Sequence, residues 1–344
     1  MTVDSTPVEQ NGNRRRPTIK DVAVVAGVSR GTVSRVLNGG HWVSPEALTA
    51  VQAAIKSTGY AANRHARSLV TGRSNSVAFL LTEPQQLLFE DPNFSVLLRG
   101  AADALAKRDI PLLLMVAGTP EERRRVTDYV TAGHVDGVLL ISSHADDPVV
   151  AALLREQVPI VACGTPLGYE GKVGYVAADD IAGARAMVRH LRDIGRQHIA
   201  TITGPLDTPG GVQRLQGYRD ELGSSYDEGL VAKGDYSRLG GQRAMAELLA
   251  ARPEIDAVFV ASDLMAAGAL ATLAAQGKRV PEDIAIGGFD DSYLAATMTP
   301  ALTTMRQPFE RISSEMVRLL TELIDGEEPA TVILPTTLVQ RAST

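Results

Sequence analysis

Short hydroxyl side chains and forked arginines recur at helical spacing just after residue 28. The polar positions are Ser29, Arg30, Thr32, Ser34, Arg35 and Asn38, with Gly31 among them. Hydroxyl, guanidinium and amide groups can hydrogen-bond to base edges and to phosphates. The apolar residues Val33, Val36 and Leu37 share another face of the same stretch. This pattern predicts a helix that lies in a DNA major groove and contacts it with its polar face.

The residues on either side predict a helix-turn-helix domain around this helix. Thr18 and Asp21 have the spacing of a capping box, which would begin a first helix, and we include Thr18 among the expected DNA contacts. Gly27 can adopt the left-handed backbone of a sharp turn, and Ser29 can cap the second helix. A third helix is predicted from Ser44-Pro45-Glu46 to about residue 57.

The charge distribution favours DNA binding over the alternative, a helical bundle whose polar face is merely solvated. Residues 14–73 contain ten Lys and Arg against two acids, a net charge of +8. The whole chain has a net charge of −6, and residues 74–344 have a net charge of −12. A basic head on an acidic body concentrates the attraction to phosphates in the head.

A second, short basic helix is predicted between residues 63 and 70. Asn63 can cap it, and the candidate DNA contacts on it are Ala66, Arg67 and Leu69. A helix of about two turns is too short to be stable alone in water, so its folding could be part of recognition. Leu69 has two interpretations: a packing residue at a domain boundary, or an apolar wedge that enters the minor groove and bends the DNA.

The segments TIKDVAVVAGVSRGTVSRVLN and ANRHARSL resemble the LacI/GalR family of bacterial transcription regulators, and the resemblance extends over residues 17–341. It implies that operator choice is set or supported by the positions of Arg30, Gly31 and Arg35. It also implies that Leu69 is wedged into the central step of a near-palindromic operator beside its dimer mate. Gly31 departs from the family pattern because it has no side chain with which to read a base.

From residue 76 onward, short apolar runs alternate with amphipathic helices. The predicted strands are SVAFLLT, IPLLLMV, DGVLLIS, VPIVACG, HIATITG, DAVFVAS and DIAIGGF, and the predicted helices include VLLRGAADALAKRD, AGARAMVRHLRDIG, GGQRAMAELLAARP and LMAAGALATLAAQG. Short apolar runs bounded by Gly, Pro, Asp or Ser are typical of buried parallel strands. The alternation predicts right-handed βαβ crossovers and doubly wound sheets, and the length favours two lobes.

The predicted fold is therefore an all-α helix-turn-helix domain with a hinge helix, followed by an α/β core. The resemblance implies a periplasmic-binding-protein-like core of two doubly wound lobes, which the chain crosses near residues 175–177, 302–305 and 331–334. The predicted domains are a disordered, basic-ended tail (1–16), the helix-turn-helix domain (17–62), the hinge helix and linker (63–75) and the core (76–344), in which lobe 1 covers about 76–175 and 305–330 and lobe 2 about 177–302 and 332–344.

The cleft between the lobes is the expected effector site, because ligands of α/β folds bind beyond the carboxyl ends of the strands. The candidate residues are Phe94, Arg214, Tyr236, Asp263 and Asp290. Phe94 could stack on a ligand or pack within a helix, and the fork of Arg214 suits vicinal hydroxyls or a carboxylate. The resemblance implies effector contacts for Arg214, Asp263 and Tyr236, although Asp263 could simply cap a helix. Asp290 could equally serve the lobe hinge.

The sequence predicts neither an enzyme nor a protein that needs a cofactor or a metal. Its glycine-containing stretches lack the spacing of a phosphate loop or a dinucleotide fingerprint, and its six histidines form no pair at metal-ligand spacing with a nearby cysteine. Cys163 is the only cysteine, and its apolar surroundings favour a buried thiol over a nucleophile. A cytoplasmic location is expected, because no apolar run reaches the ~20 residues of a membrane span and the N-terminus lacks the apolar segment of a secretion signal.

The residues and the resemblance together predict a repressor that binds operator DNA and is released by a small effector, in the first place a sugar. The alternative is the same architecture with a corepressor, a purine or a partner protein, that tightens DNA binding in the same cleft. A third class, a solute-binding protein that delivers sugar to a transporter, would need a signal peptide and no DNA-binding head. A homodimer is expected because the tetrameric family members add a C-terminal leucine heptad helix, whereas this chain ends LPTTLVQRAST.

Overall fold

The computed structural model describes residues 17–37, 42–60 and 73–344 of the chain. Contacts divide the protein into two compact units, with the boundary between Ser74 and Asn75. The predictions made for the tail at 1–16 and for Asn38, Asn63, Ala66, Arg67 and Leu69 lie outside the described residues. The two units are therefore considered one at a time.

The described part of the N-terminal unit consists of the three predicted helices: α1 (Ile19–Ala26), α2 (Arg30–Leu37) and α3 (Pro45–Thr58). The Thr18 backbone N–H donates to the Asp21 carboxylate at 2.7 Å, as the capping-box spacing predicts. Gly27 adopts the left-handed conformation of the turn at φ 66°, and Ser44 caps α3. The helices pack on a small apolar core formed by Val22, Ala23, Val33, Val51 and Ala54.

The core unit, residues 75–344, contains two six-stranded sheets. The first consists of β1 (Val77–Leu81), β2 (Leu112–Val116), β3 (Gly137–Ile141), β4 (Ile160–Cys163), β5 (Gly174–Ala178) and β11 (Thr331–Leu334), in the spatial order β11-β5-β4-β3-β1-β2. The second consists of β6 (Ile199–Thr203), β7 (Val231–Lys233), β8 (Ala257–Val260), β9 (Ala285–Asp290), β10 (Thr303–Arg306) and β12 (Thr337–Val339), in the order β12-β10-β9-β8-β6-β7. The strands pair in parallel except for the antiparallel pair of β10 and β12. All seven predicted strands are present.

The helices of the core unit cover the faces of the two sheets. The first lobe carries α4 (Gln85–Glu90), α5 (Pro92–Ala106), α6 (Pro120–Tyr129), α7 (Pro148–Arg155) and α13 (Phe309–Ile324), and the second carries α8 (Asp180–Asp193), α9 (Pro209–Leu222), α10 (Arg238–Ala251), α11 (Asp263–Ala275) and α12 (Tyr293–Thr297). A short π-helical turn occupies Val130–His134, and short 3₁₀ turns occupy Gly223–Ser225 and Glu228–Leu230. In the part of the chain that the structure describes, no helix combines the length and the apolar character needed to cross a bilayer.

The chain crosses between the lobes three times, a few residues later than the sequence predicted. The predicted positions, 175–177, 302–305 and 331–334, fall within the strands β5, β10 and β11. Each crossing instead follows its strand: at Asp179, at Gln307-Pro308, and between Leu334 and Thr337. Each crossing comes directly after an apolar strand. The apolar pattern identifies the strand, but it does not identify the residue at which the chain leaves the lobe.

A buried hydroxyl near the end of the chain ties the second sheet together. Ser343 is fully buried, and its Oγ donates to the Ile286 carbonyl at 2.6 Å. The same Oγ accepts from the Thr303 backbone N–H at 2.8 Å. One side chain therefore satisfies the Ile286 carbonyl of β9 and the Thr303 N–H of β10.

The substitution Ser343→Ala is expected to lower the free energy of unfolding by about 1–3 kcal/mol, because it leaves the buried Thr303 N–H without its acceptor. Urea denaturation of the variant and of the unmodified protein measures the difference. Ser314→Ala is the matched control: Ser314 is exposed, its Oγ donates only to the nearby Arg311 carbonyl, and its loss should change stability by no more than about 0.5 kcal/mol. Equal losses for the two variants would contradict a special role for the buried hydroxyl.

Candidate functional site

The first half of α2 presents the polar groups that the sequence singled out. Ser29, Arg30, Gly31 and Arg35 are exposed, while Thr32 and Ser34 are half-buried. The Ser29 Oγ accepts from the Thr32 backbone N–H at 3.1 Å and therefore caps the helix. A Cβ built at Gly31 would meet only ordinary contacts, the nearest being the Ser29 Oγ at 3.6 Å. The fold of this unit therefore does not require glycine at this position.

A cavity lies between the two lobes of the core unit. Its empty space is about 1020 Å³, part of it open to solvent, and residues of both lobes line it. A cleft between two lobes, lined by apolar and polar side chains of both, is typical of small-molecule sites. Four of the five predicted effector residues line the cavity: Phe94, Arg214, Tyr236 and Asp290.

The Arg214 side chain is buried in the cavity wall and held in place by three partners. Its Nε donates to the Asp180 carboxylate at 2.7 Å, and its Nη1 donates to the Ala261 carbonyl at 2.5 Å. The guanidinium carbon lies 3.9 Å from the centre of the Phe289 ring, a cation–π contact. Among the described residues, Nη2 has no hydrogen-bond acceptor, so this end of the fork remains able to donate to a ligand.

Asp290 joins the two lobes through its carboxylate. One oxygen accepts from the Asn93 side chain of the first lobe at 3.0 Å, and the other accepts from Gln307, in a crossing segment, at 2.7 Å. Arg214 lies 3.5 Å from that second oxygen. Burial raises the pKa of Asp290 to about 6 against the opposing effect of the Arg214 charge. Its φ of 119° is strained for a residue other than glycine, which indicates that the surrounding contacts hold it in place.

Asp263 is not among the residues that line the cavity, so the geometry does not support an effector contact for it. It is 1% exposed, and its two oxygens accept from the Thr304 hydroxyl at 2.6 Å and from the Ser292 backbone N–H at 2.8 Å. These bonds use its oxygens inside the second lobe. The preceding residue, Ser262, caps α11 and lines the cavity instead. The sequence indicates a junction between a strand and a helix at this point. It does not indicate which of the two polar residues, Ser262 or Asp263, faces the cleft.

Tyr236 is packed against the loop that precedes α9. A side chain at Gly204 would collide with its ring, so glycine is required where the loop passes under the tyrosine, and a Cβ at Gly210, in the first turn of α9, would lie 2.9 Å from its hydroxyl. Burial raises the pKa of the Tyr236 phenol to about 12, so the hydroxyl remains protonated and can act as a donor. Phe94 and Phe309 from the first lobe supply further aromatic surface to the cavity.

A histidine that the sequence analysis did not select bridges the two lobes. His144, in the loop after β3, bonds through Nε2 to Glu83 at 3.0 Å and through Nδ1 to Asp207 of the second lobe at 2.8 Å. The Ala145 N–H also donates to the Asp207 carbonyl at 2.7 Å. The bond to Glu83, followed by that to Asp207, raises the pKa of His144 to about 9 despite partial burial. No motif surrounds this residue, which explains why the sequence did not reveal it.

The remaining candidates for chemistry do not form a metal or nucleophile site. Among the described residues, no group of three or more His, Cys, Asp or Glu side chains could hold a metal ion. Burial, followed by the charge of Asp180, raises the pKa of the Cys163 thiol to about 12, so the reactive thiolate is suppressed.

A DNA-reading helix in one unit and a ligand-sized cavity between two α/β lobes in the other define a ligand-responsive DNA-binding regulator. The family model "Bacterial regulatory proteins, lacI family" matches residues 18–63, and the model "Periplasmic binding protein-like domain" matches residues 188–344. The HTH-type transcriptional regulator CelR of Thermobifida fusca is 47% identical over 336 residues, which cover 96% of this chain and 99% of CelR. The chain belongs to the LacI family of transcriptional regulators.

Two solved structures extend the similarity to the whole fold. A complex of the transcriptional regulator CelR with cellobiose has a TM-score of 0.77 and 44% identity, and the match covers 96% of this chain and all of the other. The Lac repressor dimer bound to operator and the anti-inducer ONPF has a TM-score of 0.84 and 26% identity, with 96% and 99% of the chains covered. The two-lobed core and the N-terminal head are thus those of a transcriptional regulator rather than an enzyme.

The bridge through His144 is expected to make stability depend on pH. Folding raises the pKa of His144 from its ordinary value near 6.5 to about 9, so its contribution is complete below about pH 6.5 and is lost as the pH rises through about 9. Urea midpoints of the unmodified protein and His144→Gln, compared at about pH 6 and about pH 9.5, should therefore converge at the higher pH. Asp207→Asn removes the carboxylate partner in the second lobe. The difference between its urea midpoint and that of the unmodified protein should also become smaller at the higher pH, though by less than for His144→Gln. A difference that is the same at both pH values would contradict a protonated bridge.

Proposed function

We propose that the chain is a homodimeric repressor of a near-palindromic operator and that a small carbohydrate bound between the lobes releases it from DNA. The observation that supports this best is the cavity itself, in which a donor of Arg214, the carboxylate of Asp290 and aromatic rings face the same space. We infer that the chain acts in the cytoplasm, because that is where it would meet operator DNA.

The lining of the cavity has the chemistry that a sugar requires. A sugar hydroxyl is both a donor and an acceptor, so it can bond to Nη2 of Arg214 and to the carboxylate of Asp290 at once. The flat rings of Phe94, Tyr236 and Phe309 offer apolar surface to the C–H faces of a pyranose. A pocket with mostly apolar walls and a few well-placed polar groups is typical of specific small-molecule sites.

A β-linked glucose disaccharide is the first effector to test. The relative CelR, with 47% identity over nearly its whole length, has a related structure described as a cellobiose complex. The corepressor alternative would reverse the sign of the response, and no feature of the cavity favours it.

The mechanism follows from the bonds that cross the cleft. Asn93 to Asp290, His144 to Asp207, and Gln213 to the Thr165 hydroxyl at 3.0 Å all join one lobe to the other. A sugar that takes over some of these polar groups changes the preferred angle between the lobes. We infer that this angle sets the spacing of the two hinge segments in the dimer, so that Leu69 and its mate meet only in the DNA-bound state. The difference in sugar affinity between the two states would supply the coupling, commonly ~1–3 kcal/mol.

The substitution Arg214→Lys is expected to weaken sugar binding by at least about tenfold while leaving operator binding without sugar close to that of the unmodified protein. Lysine retains the positive charge next to Asp180. Its ammonium group cannot replace the planar guanidinium of Arg214, which can bond to its present partners and to a ligand hydroxyl at the same time. Fluorescence anisotropy of labelled operator DNA, titrated with cellobiose, measures both quantities.

The control for this experiment is Arg219→Lys, five residues further along α9, where the side chain is 41% exposed and paired with Glu228. It should respond to sugar as the unmodified protein does. Normal sugar release by Arg214→Lys, or an equal defect in both variants, would remove Arg214 from the effector site.

The substitution Leu69→Ala tests the wedge hypothesis. It is expected to weaken operator binding by about tenfold or more, because the unstacking of a base step would no longer be offset by an inserted side chain. The measurement compares anisotropy titrations of operator and of non-specific DNA at one salt concentration, since phosphate contacts make affinity depend on salt. Operator affinity equal to that of the unmodified protein would show that Leu69 is a packing residue.

A further inference from the structure

We infer that the cavity between the lobes selects uncharged sugars and rejects their phosphorylated forms. The inference rests on the proposed function, since it concerns which sugars the same cavity accepts. It follows from the charges that line the cavity and from the partners that those charges already have.

Acids outnumber bases in the cavity wall. The acidic lining residues are Glu83, Asp91, Asp180, Asp235 and Asp290, and the basic ones are His144 and Arg214. Asp235 is paired with Arg243, outside the lining, at 2.7 Å, but the four other acids still outnumber the two bases even when His144 is protonated. A phosphate monoester would bring roughly two further negative charges into this partly desolvated space, where their repulsion is stronger than in water.

Both cations of the lining are already paired with carboxylates of the chain. His144 lies between Glu83 at 3.0 Å and Asp207 at 2.8 Å. Arg214 is bonded to Asp180 at 2.7 Å and lies 3.5 Å from Asp290. The free Nη2 of Arg214 can donate one hydrogen bond to a hydroxyl, but it is not an uncompensated charge that a phosphate could neutralise.

Two buried acids of the cavity show that it disfavours negative charge. Burial, followed by the charge of Asp290, raises the pKa of Asp91 to about 7. Burial likewise raises the pKa of Asp290 to about 6. Raised carboxyl pKa values indicate an environment that disfavours additional negative charge. A neutral sugar hydroxyl, by contrast, can hydrogen-bond to a carboxyl whether that carboxyl is protonated or ionised.

The helix N-termini around the cleft, which bind phosphate in many proteins, are occupied by the chain's own residues. Asp91 accepts from the Asn93 N–H at 2.9 Å at the start of α5, and Asp179 accepts from the Ala182 N–H at 3.0 Å at the start of α8. Thr208 caps α9, and the Tyr236 ring lies against Gly210 in its first turn. A phosphate would have to displace a carboxylate or the tyrosine to reach these amides.

The inference also constrains the chemistry that supplies the effector. The sugar must reach the regulator without phosphorylation, so its uptake or its release from a longer oligosaccharide leaves the hydroxyls free. A kinase acting on the sugar would remove the signal. The regulator would therefore report the pool of intact, unmodified sugar.

Isothermal titration of the full-length protein with cellobiose, 6-O-acetylcellobiose and cellobiose 6-phosphate tests this selection. The acetyl ester adds bulk at the same position without charge. We expect the phosphate to bind at least about 100-fold more weakly than cellobiose, and the acetyl ester to lie between them.

At about pH 8, where most of the Asp91 carboxyls are ionised, Asp91→Asn removes most of one negative charge while keeping a side chain that can cap α5. It should then narrow the ratio of the dissociation constants of cellobiose 6-phosphate and cellobiose by about tenfold. Asp128→Asn is the matched control, because Asp128 is an exposed residue of α6 outside the cavity and its loss should leave the ratio unchanged.

Each outcome bears on the inference in a defined way. If cellobiose and its phosphate bind within about threefold of each other, or only the phosphate binds, charge selection is wrong while a sugar-responsive regulator stands. If the acetyl ester is rejected as strongly as the phosphate and Asp91→Asn changes nothing, exclusion is steric and the inference fails. If no sugar binds, the proposed function and this inference fall together.

Discussion

The buried guanidinium of Arg214 is the group on which the rest of the effector site depends. Placing this charge out of water is costly unless it is paired, and Asp180 and Asp290 supply the pairing. The same Asp290 also binds Asn93 in the other lobe and Gln307 in a crossing segment. One desolvated cation is therefore linked, through one carboxylate, to the relative position of both lobes. In the proposed mechanism, a ligand that bonds to this network acts on the lobe angle directly.

Much of the architecture was predictable because local physics determines it. Six of the seven predicted strands are buried over nearly their whole length and so appear as continuous apolar runs. The edge strand β2 is only partly buried but equally apolar, and all seven strands are present. The head was predictable because a capping box at Thr18 and Asp21 and a left-handed Gly27 mark the first helix and the turn that ends it. Arg214 was predictable from its place after a strand and from the family resemblance.

The parts that the sequence did not reveal depend on contacts between distant segments. His144 became part of the site only because Glu83 and Asp207, from two other strand-end loops, lie on either side of it. Asp263 and Ser262 are adjacent in the chain, and only the partners Thr304 and Ser292 decide that the aspartate faces inward. The three crossings lie a few residues beyond the predicted positions, which fall within β5, β10 and β11, because the periodicity of a strand contains no information about where the chain goes next.

The central claim is that occupation of the cavity between the lobes lowers the affinity of the head for its operator. The most direct test is anisotropy of labelled upstream DNA with the purified protein at fixed salt, followed by addition of neutral mono- and disaccharides and of purines. The account predicts specific binding and release by a neutral disaccharide. Tightening by a purine, or the absence of any specific DNA binding, would contradict it.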